Sequence, residues 1–174
     1  MDLSRVIAID IGASKMKLGF LVDGTMREIA TLVTPADPEE AVELIATAID
    51  GASPADAPEA VGIGCPGPLD PRTGVVLSPP NLRRWWGFPL REEIERRIGV
   101  PARVDNDGNV GALGEAWAGS GCGYATVLYF AIGTGLGAGI RFNTPLGPIR
   151  LDYGVAGGRN FGEGVLHFSI GQAF

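Results

Sequence analysis

The chain is predicted to be α/β, and three observations predict it. Short β-rich runs open the sequence in close succession, helical and strand periods then alternate, and a glycine-dense run at residues 133–139 leads into a β-rich end. Its 174 residues leave room for one full domain and a fragment of another, at roughly 100–200 residues per domain.

The elements can be justified in order. Val6–Asp10, Lys15–Val22 and Glu28–Thr34 are strand-like, with Asp23-Gly24 a hairpin signal between the second and third. Asp37 suits a helix cap, Pro38 the first turn, and Glu40 the position three residues past the cap. Val42, Leu44, Ile45, Ala48 and Ile49 then recur at helical spacing until Gly51. Ala60–Cys65 has the apolar run of a buried strand and ends at Pro66-Gly67-Pro68. Leu90–Ile98 reads as a second helix, closed by Gly99 with Pro101 beyond it. Ala102–Asp105 is another strand, Asn109–Ala118 a third helix, and Ala125–Ile132 with Leu136–Phe142 a further pair of strands. Three meandering strands followed by alternating helix and strand is the ribonuclease-H-like order of actin-like ATPase folds. The expected division is residues 1–120 as a first domain and 121–142 as the opening strands of a truncated second one, joined by the Gly119–Tyr124 link. Residues 143–174 are expected to form a hairpin of different origin.

Composition narrows the function classes. Apolar residues make up 45% of the chain and the net charge is −6, with no long run of lysine or arginine. A nucleic-acid partner, whose phosphates favour a basic patch, is not expected. No segment reaches the roughly 20 apolar residues of a membrane helix, and the start Met1-Asp2-Leu3-Ser4-Arg5 has neither the positive stretch nor the apolar core of a secretory signal. Cys65 and Cys122 lie far apart with no C-x-x-C pairing, so neither a disulfide scaffold nor a zinc cluster is indicated. The expected location is cytoplasmic.

Three segments hold residues suited to chemistry. In Asp10-Ile11-Gly12-Ala13-Ser14-Lys15 a tight glycine turn between strands can offer backbone N–H groups to phosphate, with a carboxylate near enough to hold magnesium-bound water. The same residues also make an ordinary β-turn with a polar tip. Val104-Asp105-Asn106-Asp107-Gly108-Asn109 lies at a strand-to-helix junction, where a carboxylate can accept a proton from an attacking hydroxyl while a neighbouring amide orients it. Asn and Asp are equally favoured as helix caps. Gly133-Thr134-Gly135-Leu136-Gly137-Ala138-Gly139 has glycine at every second position, unlike the uneven spacing of a dinucleotide fingerprint. A glycine-lined turn permits close approach of phosphate, and a glycine-rich strand without function reads the same way.

In this order, and with several further stretches, these segments resemble the ROK family of repressors and sugar kinases, specifically its glucokinase-like members. The likeness runs from Val6 to about Gly139. Gly62-Ile63-Gly64-Cys65-Pro66-Gly67-Pro68 is similar to the family's G-x-G-x-P-G-P segment, and Ser78-Pro79-Pro80-Asn81-Leu82 with Trp86-Gly87-Phe88-Pro89-Leu90 to its sugar-side loop. Asn106-Asp107-Gly108-Asn109 with Ala112-Leu113-Gly114-Glu115 is similar to its most characteristic motif. The resemblance implies ATP-dependent phosphorylation of a hexose such as glucose. It implies Asp107 as general base and Asn81 and Asn106 as partners of sugar hydroxyls, with Asp10 positioning Mg2+ through water. Gly12, Ser14, Lys15, Gly133, Thr134, Gly135 and Gly137 would cradle the phosphates. Ala13 stands where the family has glycine, and its Cβ is expected to weaken the nucleotide site.

Beyond Gly139 the pattern departs. The family continues with G-x-A-G-E-x-G-H, whose glutamate and histidine contact sugar or structural zinc, whereas Gly154-Val155-Ala156-Gly157 is followed here by Gly158, Arg159, Asn160 and Phe161. No zinc site is expected. Gly139 through Gly154 instead resembles the penultimate strand of outer-membrane barrel-assembly proteins, and His167 through Phe174 their terminal strand, with Leu166, Phe168, Ile170 and Phe174 on alternating positions. An accidental join is inferred, with the crossover at residues 135–140. Two alternatives stand beside the kinase: a non-catalytic remnant with weak sugar or nucleotide binding, and a barrel-assembly fragment. A regulator of the same family would carry a winged helix before its first strand, and Val6 starts too soon for one. Activity near background and self-association through unpaired strands are expected.

Overall fold

Ile7, Ile9 and Ile11 are buried, while Ala8 and Asp10 between them are exposed. This period of two is what a strand with one covered face requires, and it belongs to β1 (Val6–Ile11). The computed structural model describes residues 5–22, 25–51, 58–132, 135–144, 147–156 and 165–170. Asp23-Gly24 lies outside them. β2 (Lys15–Val22) and β3 (Thr25–Val33) pair antiparallel in sequence with β1, and β4 (Ala60–Cys65) and β7 (Ala102–Asn106) add in parallel on its other side. The resulting sheet has the order β3-β2-β1-β4-β7.

The two crossovers run through helices, as parallel neighbours demand. α1 (Pro38–Asp50) starts at Asp37, whose carboxylate accepts from the Glu39 amide at 2.9 Å. It buries Ala41, Val42, Ile45 and Ile49. α2 (Leu90–Ile98) buries Leu90 and Ile94 and ends at Gly99 in the left-handed region, φ 82°. Its Arg97 reaches Glu43 at 3.0 Å and Asp50 at 3.4 Å, both on α1. Beneath the helices the core row Ile9, Ile63 and Val104 is in register across three strands.

Between β4 and α2 the chain makes structure that the sequence reading lacks. β5 (Leu69–Asp70) and β6 (Val75–Val76) form a small hairpin, and a single 3-10 turn spans Arg83–Trp85. Asp70 closes the hairpin, and a hydrogen bond from Thr73 holds its carboxyl below the usual range despite some burial. Trp85 is fully buried and donates its indole N–H to the Pro35 carbonyl at 3.3 Å.

The chain divides into two compact units at Asn106/Asp107, whereas the sequence reading places the division at the Gly119–Tyr124 link. The second unit holds α3 (Asp107–Ala118), β8 (Thr126–Ile132), β9 (Gly135–Thr144), β10 (Gly147–Ala156) and β11 (Val165–Ile170), the strands forming an antiparallel sheet of order β11-β10-β9-β8. α3 lies on β8 at Gly111, where a Cβ would come within 2.6 Å of the Tyr129 ring. Two expectations are corrected. The third helix begins at Asp107, not Asn109, because β7 runs straight into it and Asn106 takes the position ahead of the helix. Gly139–Gly154, read as one strand, is parts of two, since β9 and β10 pair from Thr144↔Gly147 outward. Among the described residues no helix is long and apolar enough to cross a membrane.

Candidate active site

In the first unit Asp10, Gly12, Ser14, Lys15 and Asn106 lie at or just beyond the carboxyl ends of the parallel strands β1 and β7, the end at which open α/β sheets bind ligands, and Asn81 lies on the segment after β6. Asp10 pairs with Gly64 and Gly64 with Asp105, so two carboxylates share one sheet face with a glycine between them. Asp10 is exposed, and Gly64 beside it is buried. Among the described residues no cluster of three or more potential metal ligands is present.

The turn after β1 is closed by the Gly12 N–H donating to the Lys15 carbonyl at 2.8 Å. Thr34, at the end of the neighbouring strand, ties it down: its hydroxyl donates to the Gly12 carbonyl at 2.7 Å and its amide to the Ser14 carbonyl at 3.1 Å. The amide of Gly12 is therefore used within the turn, and a Cβ there would meet the Lys15 carbonyl oxygen at 3.0 Å. Ser14 and Lys15 are exposed at the tip.

Asn106 and Asn81 are each held by backbone neighbours. A Cβ on Gly67 would meet the Asn106 side-chain amide nitrogen at 2.8 Å, so Asn106 rests against that glycine. The next carbonyl, of Pro68, accepts from Leu77 at 2.9 Å and Ser78 at 3.4 Å. Two residues on, the Pro79 carbonyl accepts from Leu82 at 3.2 Å, closing a turn that carries exposed Asn81. Sequence reasoning singles out Gly67 only as part of a motif. Its role against Asn106 needs two segments far apart in the chain, which no local pattern reveals.

In the second unit Asp107 is exposed at the start of α3, and its carboxylate accepts from the Gly108 amide at 2.8 Å. At the far end of the helix Glu115 accepts from the Ser120 hydroxyl and amide, both at 2.8 Å, which keeps its carboxyl below the usual range. Glu115, Ser120, Tyr124 and Leu128 line an open cleft of about 420 Å³ that contains none of the predicted catalytic or sugar-binding residues. Gly135 and Gly137 lie on β9. Gly133 and Thr134 lie outside the described residues.

A model of the ROK family matches residues 6–157. The chain belongs to the ROK family. It is 38% identical over 145 residues to a glucokinase of Streptomyces coelicolor, across 83% of this chain and 45% of that protein. A xylose repressor of Caldicellulosiruptor bescii is 32% identical over 154 residues, across 83% and 38%. Among solved structures, a ROK family glucokinase from Streptomyces griseus in complex with glucose and AMPPNP superposes with a TM-score of 0.71 at 39% identity, covering 78% of this chain and 43% of that one. Such neighbours imply the actin-like, ribonuclease-H-like α/β fold for the ROK portion. The chain spans about half the length of the curated relatives it matches. The family match also continues past Gly139, where the sequence reading changes identity.

Proposed function

We propose that these residues are the acceptor-sugar and phosphate-binding part of an ATP-dependent hexose kinase of the ROK type, with glucose the leading substrate. The observation that carries it is the end of β7: Asn106 rests against Gly67, and the next residue, Asp107, presents an exposed carboxylate. Asn81 and Asn106 hydrogen-bond sugar hydroxyls and fix which one faces the donor. Asp107 accepts the proton of that hydroxyl as its oxygen attacks the γ-phosphorus, and the bond to the leaving ADP oxygen breaks. A bound magnesium ion would neutralise charge developing on the phosphate oxygens, held through water by Asp10. Gly12, Ser14 and Lys15, with Gly133, Thr134, Gly135 and Gly137, approach the phosphates. Support comes from the glucokinases the chain resembles, one of them solved with glucose and AMPPNP.

Phosphoryl transfer depends on positioning and on excluding water. The 174 residues alone, without the remaining half of their relatives' length, are expected to turn over near background. A coupled assay with ATP, magnesium and glucose, run beside Asp107→Ala, tests this. Robust turnover that vanishes in Asp107→Ala would establish the reaction and remove the expectation of inactivity. Binding of hexose with no turnover would fit the acceptor-site reading, and it would equally fit a non-catalytic remnant with weak sugar binding. The join proposed at residues 135–140 has the family match to residue 157 against it. A read across the source locus that continues into the family's second half would remove the inferred join.

A further inference from the structure

The chain's three tryptophans stand in different settings. Trp85 is fully buried, Trp117 is exposed on α3 in the second unit, and Trp86 is 54% exposed yet fixed. Its indole N–H donates to the Pro79 carbonyl at 3.0 Å. That carbonyl is the one that accepts from Leu82 and closes the turn carrying Asn81. Pro79 itself is fully buried, so the acceptor is anchored. One oxygen thus sets both the turn that presents Asn81 and the angle of the neighbouring indole. Gly87, in the left-handed region at φ 77°, follows at once, and its amide donates to the Val76 carbonyl at 2.7 Å, pinning the chain directly after Trp86.

We propose that Trp86 is a sugar-binding residue: its exposed face is a stacking platform for the apolar C–H face of the hexose whose hydroxyls bond Asn81. The inference rests on the hexose-kinase reading and names a specificity residue within it. An indole on a surface can satisfy its N–H with water; here the N–H is spent on a backbone acceptor, so the ring is held before any ligand arrives. A ring held this way loses little freedom on binding, which is how rigid aromatic side chains supply contact area cheaply. A pyranose offers such a ring an apolar face while its hydroxyls point outward to the amide of Asn81.

The test is calorimetric titration of the full chain with glucose, and then mannose, for wild type, Trp86→Ala, Trp86→Phe and Asn81→Ala, with a thermal melt of each. Trp86→Ala is expected to weaken binding about three- to ten-fold, the scale of one aromatic contact, while Trp86→Phe stays within about two-fold. Phe keeps a ring and loses the N–H donor. Equal losses in Ala and Phe would mean that the hydrogen bond acts only as a brace for the loop, which overturns the platform. Loss in Asn81→Ala with none in Trp86→Ala would overturn the platform and leave the hexose reading standing. Absence of binding by wild type to either sugar would overturn both.

Discussion

At Gly67 a single methyl group is expected to separate the proposed sugar binding from stability. A Cβ there meets only the far end of the Asn106 side chain, at 2.8 Å to the nitrogen and 3.8 Å to Cγ, and otherwise the Leu69 amide at 3.7 Å. The backbone can stay in place while the asparagine amide swings away. Gly67→Ala is therefore expected to weaken glucose binding several-fold while shifting the melting temperature little, since surface-proximal changes of this kind usually cost within about 0.5 kcal/mol. Titration and a melt of the same sample check it, and a large drop in melting temperature would show that the loop itself had moved. The contrast with Gly111 is instructive. A Cβ there would strike two atoms of the Tyr129 ring and its hydroxyl at 2.6 to 2.8 Å, so the tyrosine or the helix would have to shift.

At the scale of elements, α1 depends on its first residue. Asp37 accepts from the Glu39 amide and also lies 3.8 Å from the exposed Arg84 guanidinium. Exposed pairs of that length contribute little, so the cap dominates. Asp37→Ala should cost about 1 kcal/mol, read as a lower urea midpoint with unchanged slope, and Asp37→Ser should recover most of it. The start of α1 was legible in the sequence because its signals are local: Asp37, Pro38 and a helical period lie within a few residues. The glycine stop of α2 was legible for the same reason. β5 and β6 were not, because two residues each cannot show a period, and they exist by pairing with one another and by the Val76 amide donating to Phe88. The residues proposed for the site, Asp10, Asn81, Asn106 and Asp107, come from their types and order along the sequence. What could not be read was which glycine Asn106 touches and which carbonyl holds Trp86, since both contacts join segments separated along the chain. The third helix was misplaced by two residues because Asp107 is a good cap by type, whereas β7 runs straight into the helix and leaves that position to Asn106.

For the whole molecule, the second unit leaves β8 and β11 as the outer strands of its sheet. An outer strand offers unpaired backbone groups to another chain. Leu128 on β8 is 51% exposed, with Tyr124 just before the strand exposed as well. Self-association through this edge is proposed, with Leu128→Lys as its probe. The lysine variant is expected to shift the sedimentation profile toward monomer at equal concentration without altering the melt of the first unit. An unchanged distribution would move the contact elsewhere.

The row of Asp10, Gly64 and Asp105 also decides which changes of length the gene can absorb. Residues added between Asp50 and Ala60, or around Gly99–Pro101, lie outside the ladder of β1, β4 and β7 and leave the row as it is. One residue added inside Ala60–Cys65 shifts that strand by a single step and exchanges its two faces. Ile63 would then stand between the two carboxylates, and a glycine would replace it among the isoleucines of the core. Insertions and deletions tolerated in this lineage are thus expected between elements, while an odd-numbered change within any of these three strands damages the site and the core in one event.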